Sequence, residues 1–348
     1  MNRLIILGNG FDLANGLPTR YSDFITDYFL EAMNVFFDTK VYEDQLISIK
    51  WKQRILFTQN PEFKSIQDIF HFLKMNANNF EIVFHSQLFR SLKNKLDLLN
   101  WVDVENEYFE ELIKCKNRKD KFEYSVVEKL NKELTYIKNL LEKYLTKVIK
   151  NSKQTISPNK FSRIFNDSIY KNEVLLKKLE EDILPRNIHI LNFNYTNTVE
   201  ASVNNTIPTD INYIHGILNY IENPLIFGFG DEFDKNYKNF EEEKNNMLFE
   251  HIKSFGYFKT KNYHDLIRFL ESDDYQVYII GHSCGLSDRT MLKEIFENEK
   301  CKSIKIFFHE RDDLSNDYVE KTMEISRHFE DKGLMRKKIV PFPLSRKM

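Results

Sequence analysis

Several short apolar runs in this chain stop at residues suited to chemistry. Leu7 is followed by Gly8-Asn9-Gly10, Phe193 by Asn194, and Ile214 by His215-Gly216. Phe229 is followed by Gly230-Asp231, Ile280 by Gly281-His282-Ser283, and Phe308 by His309-Glu310. Glycine lets a backbone be approached closely, and Asn, His, Asp and Ser supply hydrogen bonds or proton transfer. Free N–H groups over Gly8–Asp12, opening a helix, suit a phosphate group. A neutral histidine near pH 7 can deprotonate a positioned water or sugar hydroxyl, an effect typically worth about 10²–10⁴-fold. The expected site is therefore a nucleotide pocket with His215 as base and Asn194 orienting a water or ribose. Gly8, Asn9, Gly10, Phe11, Asp12 and Gly16 form its expected phosphate loop, open and polar. Thr196, Gly281, His282 and Ser283 are placed around ribose and phosphate, with His309 at the far end of the ligand. Each piece also has a plainer reading: a tight turn at Gly8–Gly10, an Asx-turn at Asn194, a satisfied core histidine at His215. The loop is not G-x-G-x-x-G, because Gly16 follows Gly10 by six residues.

Elements that would bring these residues together are legible. Leu4–Leu7, Ile188–Phe193, Ile211–Ile214, Leu225–Phe229, Val277–Ile280 and Ile304–Phe308 read as strands buried on both faces. Helical patterns follow the later ones. In "SDRTMLKEIFENE", Ser287 or Asp288 is placed to cap, and in "DYVEKTMEISRHFEDKG" Gly333 is placed to stop the helix. Alternation of strand and helix predicts an α/β fold with a Rossmann-like parallel sheet. If the strands are parallel, their polar ends converge on the one edge where such sheets bind ligands. Residues 25–180 read as almost wholly helical and are expected to form an insertion. In it, Leu130, Leu134, Ile137, Leu141, Tyr144 and Val148 make a long apolar stripe, and Pro185 closes the last helical run. The expected domains are a nucleotide-binding core of 1–24 with 181–348 and a helical domain of 25–180. The segment 234–246 reads as a solvated helix or connection, and Lys332–Met348 as a basic tail or edge strand.

Composition narrows the class. The chain has 348 residues, 42% hydrophobic and 29% charged, with a net charge of −2. No global basic field exists, so nucleic acid is not an expected partner. Three cysteines with no C-x-x-C pair argue against a disulfide framework or thiolate zinc site. A strand beginning at Leu4 leaves no room for a signal peptide, and no apolar run reaches the ~18 residues of a membrane helix. A cytoplasmic protein is expected, with a homo-oligomer left open.

The order of motifs is similar to that of a known superfamily. Gly8-x-Gly10…Gly16-Leu17-Pro18, Asn192-Phe193-Asn194-Tyr195-Thr196, Ile214-His215-Gly216 and Gly281-His282-Ser283 resemble the successive nucleotide-site segments of the sirtuin-like NAD-binding proteins. More closely, the chain resembles the AbiH family of bacterial abortive-infection proteins. "LIILGNGFDLANGLPTRYSDF", "WVDVE", "LNFNYTNTVE", "IHG", "FGFGDE", "KSFGYFKTKNY" and "VYIIGHSCGLSDRTML" carry that resemblance, from the N-terminus to about residue 309. The resemblance implies a role against phage, an unknown phage trigger, NAD as ligand or substrate, and release of nicotinamide and ADP-ribose by an NAD glycohydrolase-type reaction. Thr19 and Thr196 stand where the superfamily places Asp. Asp12 sits where a carboxylate would repel pyrophosphate, by about 4 kcal/mol at ~4 Å and an effective dielectric of 20. No metal is expected. The alternatives are a metal-dependent nuclease or nucleotide hydrolase using Asp231, Glu232, Asp103 and Glu105, and a non-catalytic nucleotide sensor. The plain reading of Asp103, Glu105 and Glu107 is a solvated carboxylate face.

Overall fold

A computed structural model describes residues 1–53, 61–94, 101–152, 161–204 and 206–348, except the side chains of residues 94 and 101–103. The strands among them are β1 (Asn2–Leu7), β2 (Val41–Glu43), β3 (Ile47–Trp51), β4 (Phe80–Phe84), β5 (Ile188–Asn192), β6 (Thr209–Tyr213), β7 (Tyr275–Ile280), β8 (Cys301–Phe308) and β9 (Arg346–Lys347). Two compact units result. One comprises Met1–Pro18, Leu145–Lys244 and His251–Met348, the other Thr19–Tyr144 and Asn245–Glu250.

The first unit is built on a six-stranded sheet, β6-β5-β1-β7-β8-β9, with every pair parallel. Counted within the sheet alone, this is the Rossmann-like order 3-2-1-4-5-6, whose reversal point lies between β1 and β7. All six residues of β1 and of β7 are buried, as the apolar runs Leu4–Leu7 and Val277–Ile280 predict for the greater part of each. On one face Leu4, Ile6, Val277, Ile279 and Ile306 pack with Leu266, Met291, Leu292, Ile295 and Ile325 from flanking helices. On the other, Ile5, Leu7, Ile190, Tyr278 and Ile280 pack with Phe11, Phe161 and Phe165.

That second face changes character toward the start of the strands. Arg3, Gln276, Ser303 and Lys305 are all buried there. The Arg3 guanidinium donates to the carbonyls of Phe165, Asp167 and Ser168 and lies 4.0 Å above the Tyr278 ring. Lys305 pairs with Glu173 at 2.5 Å, and Gln276 Nε2 donates to the same carboxylate. Residues 166–187 are thus held as irregular chain with one short 3₁₀ turn, Lys171–Glu173, not as the helix expected up to Pro185. Their backbone carbonyls are taken by Arg3, and an isolated bridge joins Ile169 to Ile183.

Other expectations need correction. Leu225–Phe229 is not a strand of the sheet. Gly228 has φ 158°, and Phe229 makes only an isolated bridge with Ile252. Gly333 does not stop a helix: one helix ends at Ser326, and Gly333 lies in the first turn of the next, Lys332–Lys338. The segment from 234 forms a helix, Lys235–Glu243, capped by Asp234, but it buries Tyr237 and Phe240. The C-terminal end supplies the edge strand β9.

The second unit is not purely helical. It contains the antiparallel sheet β2-β3-β4, whose strands of three to five residues lie between helical patterns and are too short to show a clear alternation. Asp44 pins the β2–β3 turn. Its Oδ1 accepts from the N–H groups of Leu46 and Ile47, and its Oδ2 from Tyr28 and Tyr42. Helices pack on this sheet through aromatic rings, among them Phe36, Phe37, Trp51 and Phe80. The expected long helix runs Tyr124–Ser152, its residues up to Tyr144 counted in this unit and the rest in the first, with its stripe buried from Leu130 to Val148. The expected solvated carboxylate face is not there: Glu105 and Glu107 are both buried.

Candidate functional site

Parallel strands bring the residues that follow β1, β5, β6, β7 and β8 to one edge of the sheet. At the reversal point the β1 and β7 loops meet backbone to backbone. A Cβ on Gly8 would lie 2.5 Å from His282 Cα, and one on Gly10 would lie 2.7 Å from Gly281 Cα. Gly281 has φ 67°, and a Cβ there would lie 2.2 Å from the Phe11 nitrogen. The Gly8–Gly10 segment is not an open loop. A short helix, Asn9–Ala14, starts at once. The N–H groups of Gly8, Gly10 and Phe11 donate to Ile280, Gly281 and Gly8 carbonyls respectively. The glycines therefore admit the chain's own Gly281-His282 backbone, and a phosphate using these three donors would have to displace those bonds.

Asn194 braces the same place. Its Nδ2 donates to the Gly8 carbonyl at 3.0 Å, and its own N–H donates to Asn192 Oδ1. Asp12, 1% exposed, accepts from Thr196 at 2.6 Å and Thr198 at 2.5 Å. Burial raises its pKa from 3.8 to about 6, against the lowering effect of the two hydroxyls. Thr196 thus serves the carboxylate of Asp12. Phe11 is core, its ring against Phe161 and Phe165. Gly16 has φ 80° and closes the short helix.

A second polar cluster lies among residues of the other face. His215 is 5% exposed. Its Nε2 stands 3.1 Å from the Tyr257 hydroxyl and 3.2 Å from Asp288 Oδ1, and the Phe193 backbone also bonds to the ring. Lys253 Nζ meets the same Asp288 Oδ1 at 2.8 Å. His282 Nε2 is 3.9 Å from Asp288 Oδ2, while its Nδ1 accepts the N–H of Cys284. The Phe193 ring stands against both imidazoles, with centroids 4.9 and 4.2 Å away. Burial would raise Asp288, but Lys253 and then His215 override it and hold the carboxylate ionised. Burial lowers His215, Lys253 adds to that effect, and Asp288 opposes it. Burial pushes His282 down to about 3. A neutral His215 ring has one N–H, so one nitrogen keeps its lone pair and can act as a base.

Irregular chain fixes this geometry. Ile226 N–H donates to the His215 carbonyl, and Lys253 N–H donates to the Phe229 carbonyl. Gly230 is needed where its Cβ would lie 2.5 Å from the Ser287 carbonyl. Segment 225–230 is thus the tie between His215, Lys253 and the turn carrying Asp288.

The sequence model of the family described as "Bacteriophage abortive infection AbiH" matches residues 4–310. The chain belongs to the AbiH family. Its place is in phage abortive infection. No curated protein matches the chain. The AbiH match spans every residue of both clusters.

Three members of the second cluster were not singled out from sequence. Lys253 and Tyr257 lie within "KSFGYFKTKNY", and the sequence pattern offers Asp288 only as a helix cap. Asp288 does occupy the cap position, but its side chain makes no capping bond and turns to Lys253 instead. Ser283 is half-buried, and His309 is exposed after β8, its N–H donating to Asp317. Asp231 is buried and paired with Arg289 at 3.3 Å, and Glu232 N–H donates to Thr290. Glu105 belongs to the other compact unit, and the Asp103 side chain lies outside the described residues. Among the described residues, no three His, Cys, Asp or Glu side chains are grouped as a metal would need. No helix among them is long and apolar enough to cross a membrane.

Proposed function

We propose that this AbiH-family chain binds a nucleotide at the C-terminal edge of its parallel sheet and hydrolyses the N-glycosidic bond of NAD. In this reading water adds its oxygen to the ribose C1′ and gives its proton to His215. Nicotinamide leaves with the bonding electron pair, which cancels its ring charge. The products are ADP-ribose, nicotinamide and a proton. Asp288 orients the imidazole and offsets the charge that forms on it. The transition state is oxocarbenium-like, so a base and a fixed water are the main demands on the protein.

The observation that carries this reading is the pairing of a buried, neutral His215 with ionised Asp288, 3.2 Å apart, beyond the strand ends. Two facts bear on NAD itself. Asp12 is turned into Thr196 and Thr198, which removes its carboxylate from any phosphate. Three loop N–H groups are already bonded within the chain, so a nucleotide must draw on other donors or open that contact. The pairing of Asp231 with Arg289 gives the metal-dependent alternative less support.

The test is nicotinamide release by purified protein, with and without phage lysate as trigger. His215→Ala is expected to lower the rate about 10²–10⁴-fold. No release under either condition defeats the reading. NAD binding without release points to the sensor alternative.

A further inference from the structure

We propose that Lys253 is a positioning residue that keeps His215 available as a base by holding the Asp288 oxygen that faces it. The inference rests on the reading of His215 as a base, but its geometry stands apart from NAD. Lys253 Nζ and His215 Nε2 both meet Asp288 Oδ1, at 2.8 and 3.2 Å. A histidine beside a lone buried carboxylate would be drawn toward the imidazolium form, because that pairs the charge. Here the carboxylate already has a cation. Lys253 and Asp288 are 2% and 4% exposed, so little water screens them.

Among the described residues, the groups that face the His215 ring come from four segments. Helix Lys253–Tyr257 presents the ammonium and the Tyr257 hydroxyl. The turn before helix Arg289–Glu297 presents Asp288. The loop after β7 presents His282, which burial keeps neutral, and the chain after β5 presents the Phe193 backbone and, more distantly, the Tyr195 ring. Among these charged groups, Lys253 alone disfavours a proton on His215 while satisfying Asp288.

The experiment is an NMR titration of histidine ring protons in the full chain, with His215→Gln used to assign the resonance. Wild type is expected to titrate below the ordinary 6.5 at this ring. Lys253→Gln, with Lys253→Met as a second neutral variant, is expected to raise the midpoint by about one pH unit or more. Lys253→Arg should restore the wild-type midpoint. An unchanged midpoint in a folded neutral variant overturns the proposal. So does a midpoint above 6.5 in Lys253→Arg, which keeps the charge and decides the matter should both neutral variants fail to fold. Nicotinamide release is followed in parallel. Shifted titration without release from wild type defeats the hydrolase and leaves the Lys253 role standing. Release from wild type with an unshifted midpoint does the reverse.

Discussion

Asp12→Asn separates the electrostatic cost of a buried carboxylate from its hydrogen bonds. In the wild type, Asp12 has a folded pKa of about 6 against an ordinary value of 3.8. A raised folded value means that the folded state holds its proton the tighter. Below pH 3.8 both states are protonated, and the ionisation penalty is absent. Between 3.8 and about 6 the unfolded chain ionises while the folded chain does not, so stability falls as pH rises. Above about 6 the penalty is complete. At about 1.36 kcal/mol per pH unit it amounts to ~3 kcal/mol. Asparagine keeps the shape and never ionises. Its Oδ1 can accept from one threonine and its Nδ2 can donate to the other, with Thr196 and Thr198 oxygens 3.3 Å apart to complete the set. The assay is urea denaturation of both proteins at pH 4 and pH 7.5. The stability difference is expected to move in favour of Asp12→Asn by ~2.4 kcal/mol between those pH values, because the unfolded carboxyl is already more than half ionised at pH 4. A difference independent of pH, or one moving toward wild type as pH rises, refutes the reasoning.

Three further predictions use the same measurement. Gly16→Ala meets only the left-handed φ, since nothing lies within 4 Å of its Cβ, and should cost no more than about 1–2 kcal/mol. Gly281→Ala adds a 2.2 Å clash with Phe11 N and should cost at least twice as much, and equal losses would disprove the close approach of the two loops. Glu173→Gln or Lys305→Met alone should cost roughly 3–5 kcal/mol by leaving a buried charge unpaired, whereas the double variant should cost clearly less than the two combined. Full additivity would show that the pair is not coupled. Asp44→Ala should lose at least about 3 kcal/mol with its two close tyrosine bonds and turn N–H bonds, while Tyr136→Phe, whose hydroxyl is 3.4 Å away, should stay within ~0.5 kcal/mol of wild type. Comparable losses would contradict that ranking.

Local sequence determined much of this protein. Unbroken apolar runs at Leu4–Leu7 and Val277–Ile280 could be buried only on two faces, which specified a covered parallel sheet. The stripe from Leu130 to Val148 specified a long helix, because its spacing is intrinsic to the helical period. Polar residues ending those runs were bound to meet at one edge of the sheet, since parallel strands place their C-terminal ends together. Family membership was equally legible, as it resides in residue order. Tertiary structure alone decided what those residues do. Gly8 and Gly281 look like ligand-facing glycines in sequence, yet each accommodates the other's loop, a contact across more than 270 positions. Asp288 and Lys253 carry no periodic signal, because an ion pair is defined by distance in space and not by spacing along the chain. Leu225–Phe229 has the composition of a strand, but the carbonyls of His215 and His251 take the N–H groups of Ile226 and Phe229 that a sheet neighbour would need. Strands and helices follow from local pattern. The protonation of His215 follows from burial and two distant charges, and only the folded chain brings them together.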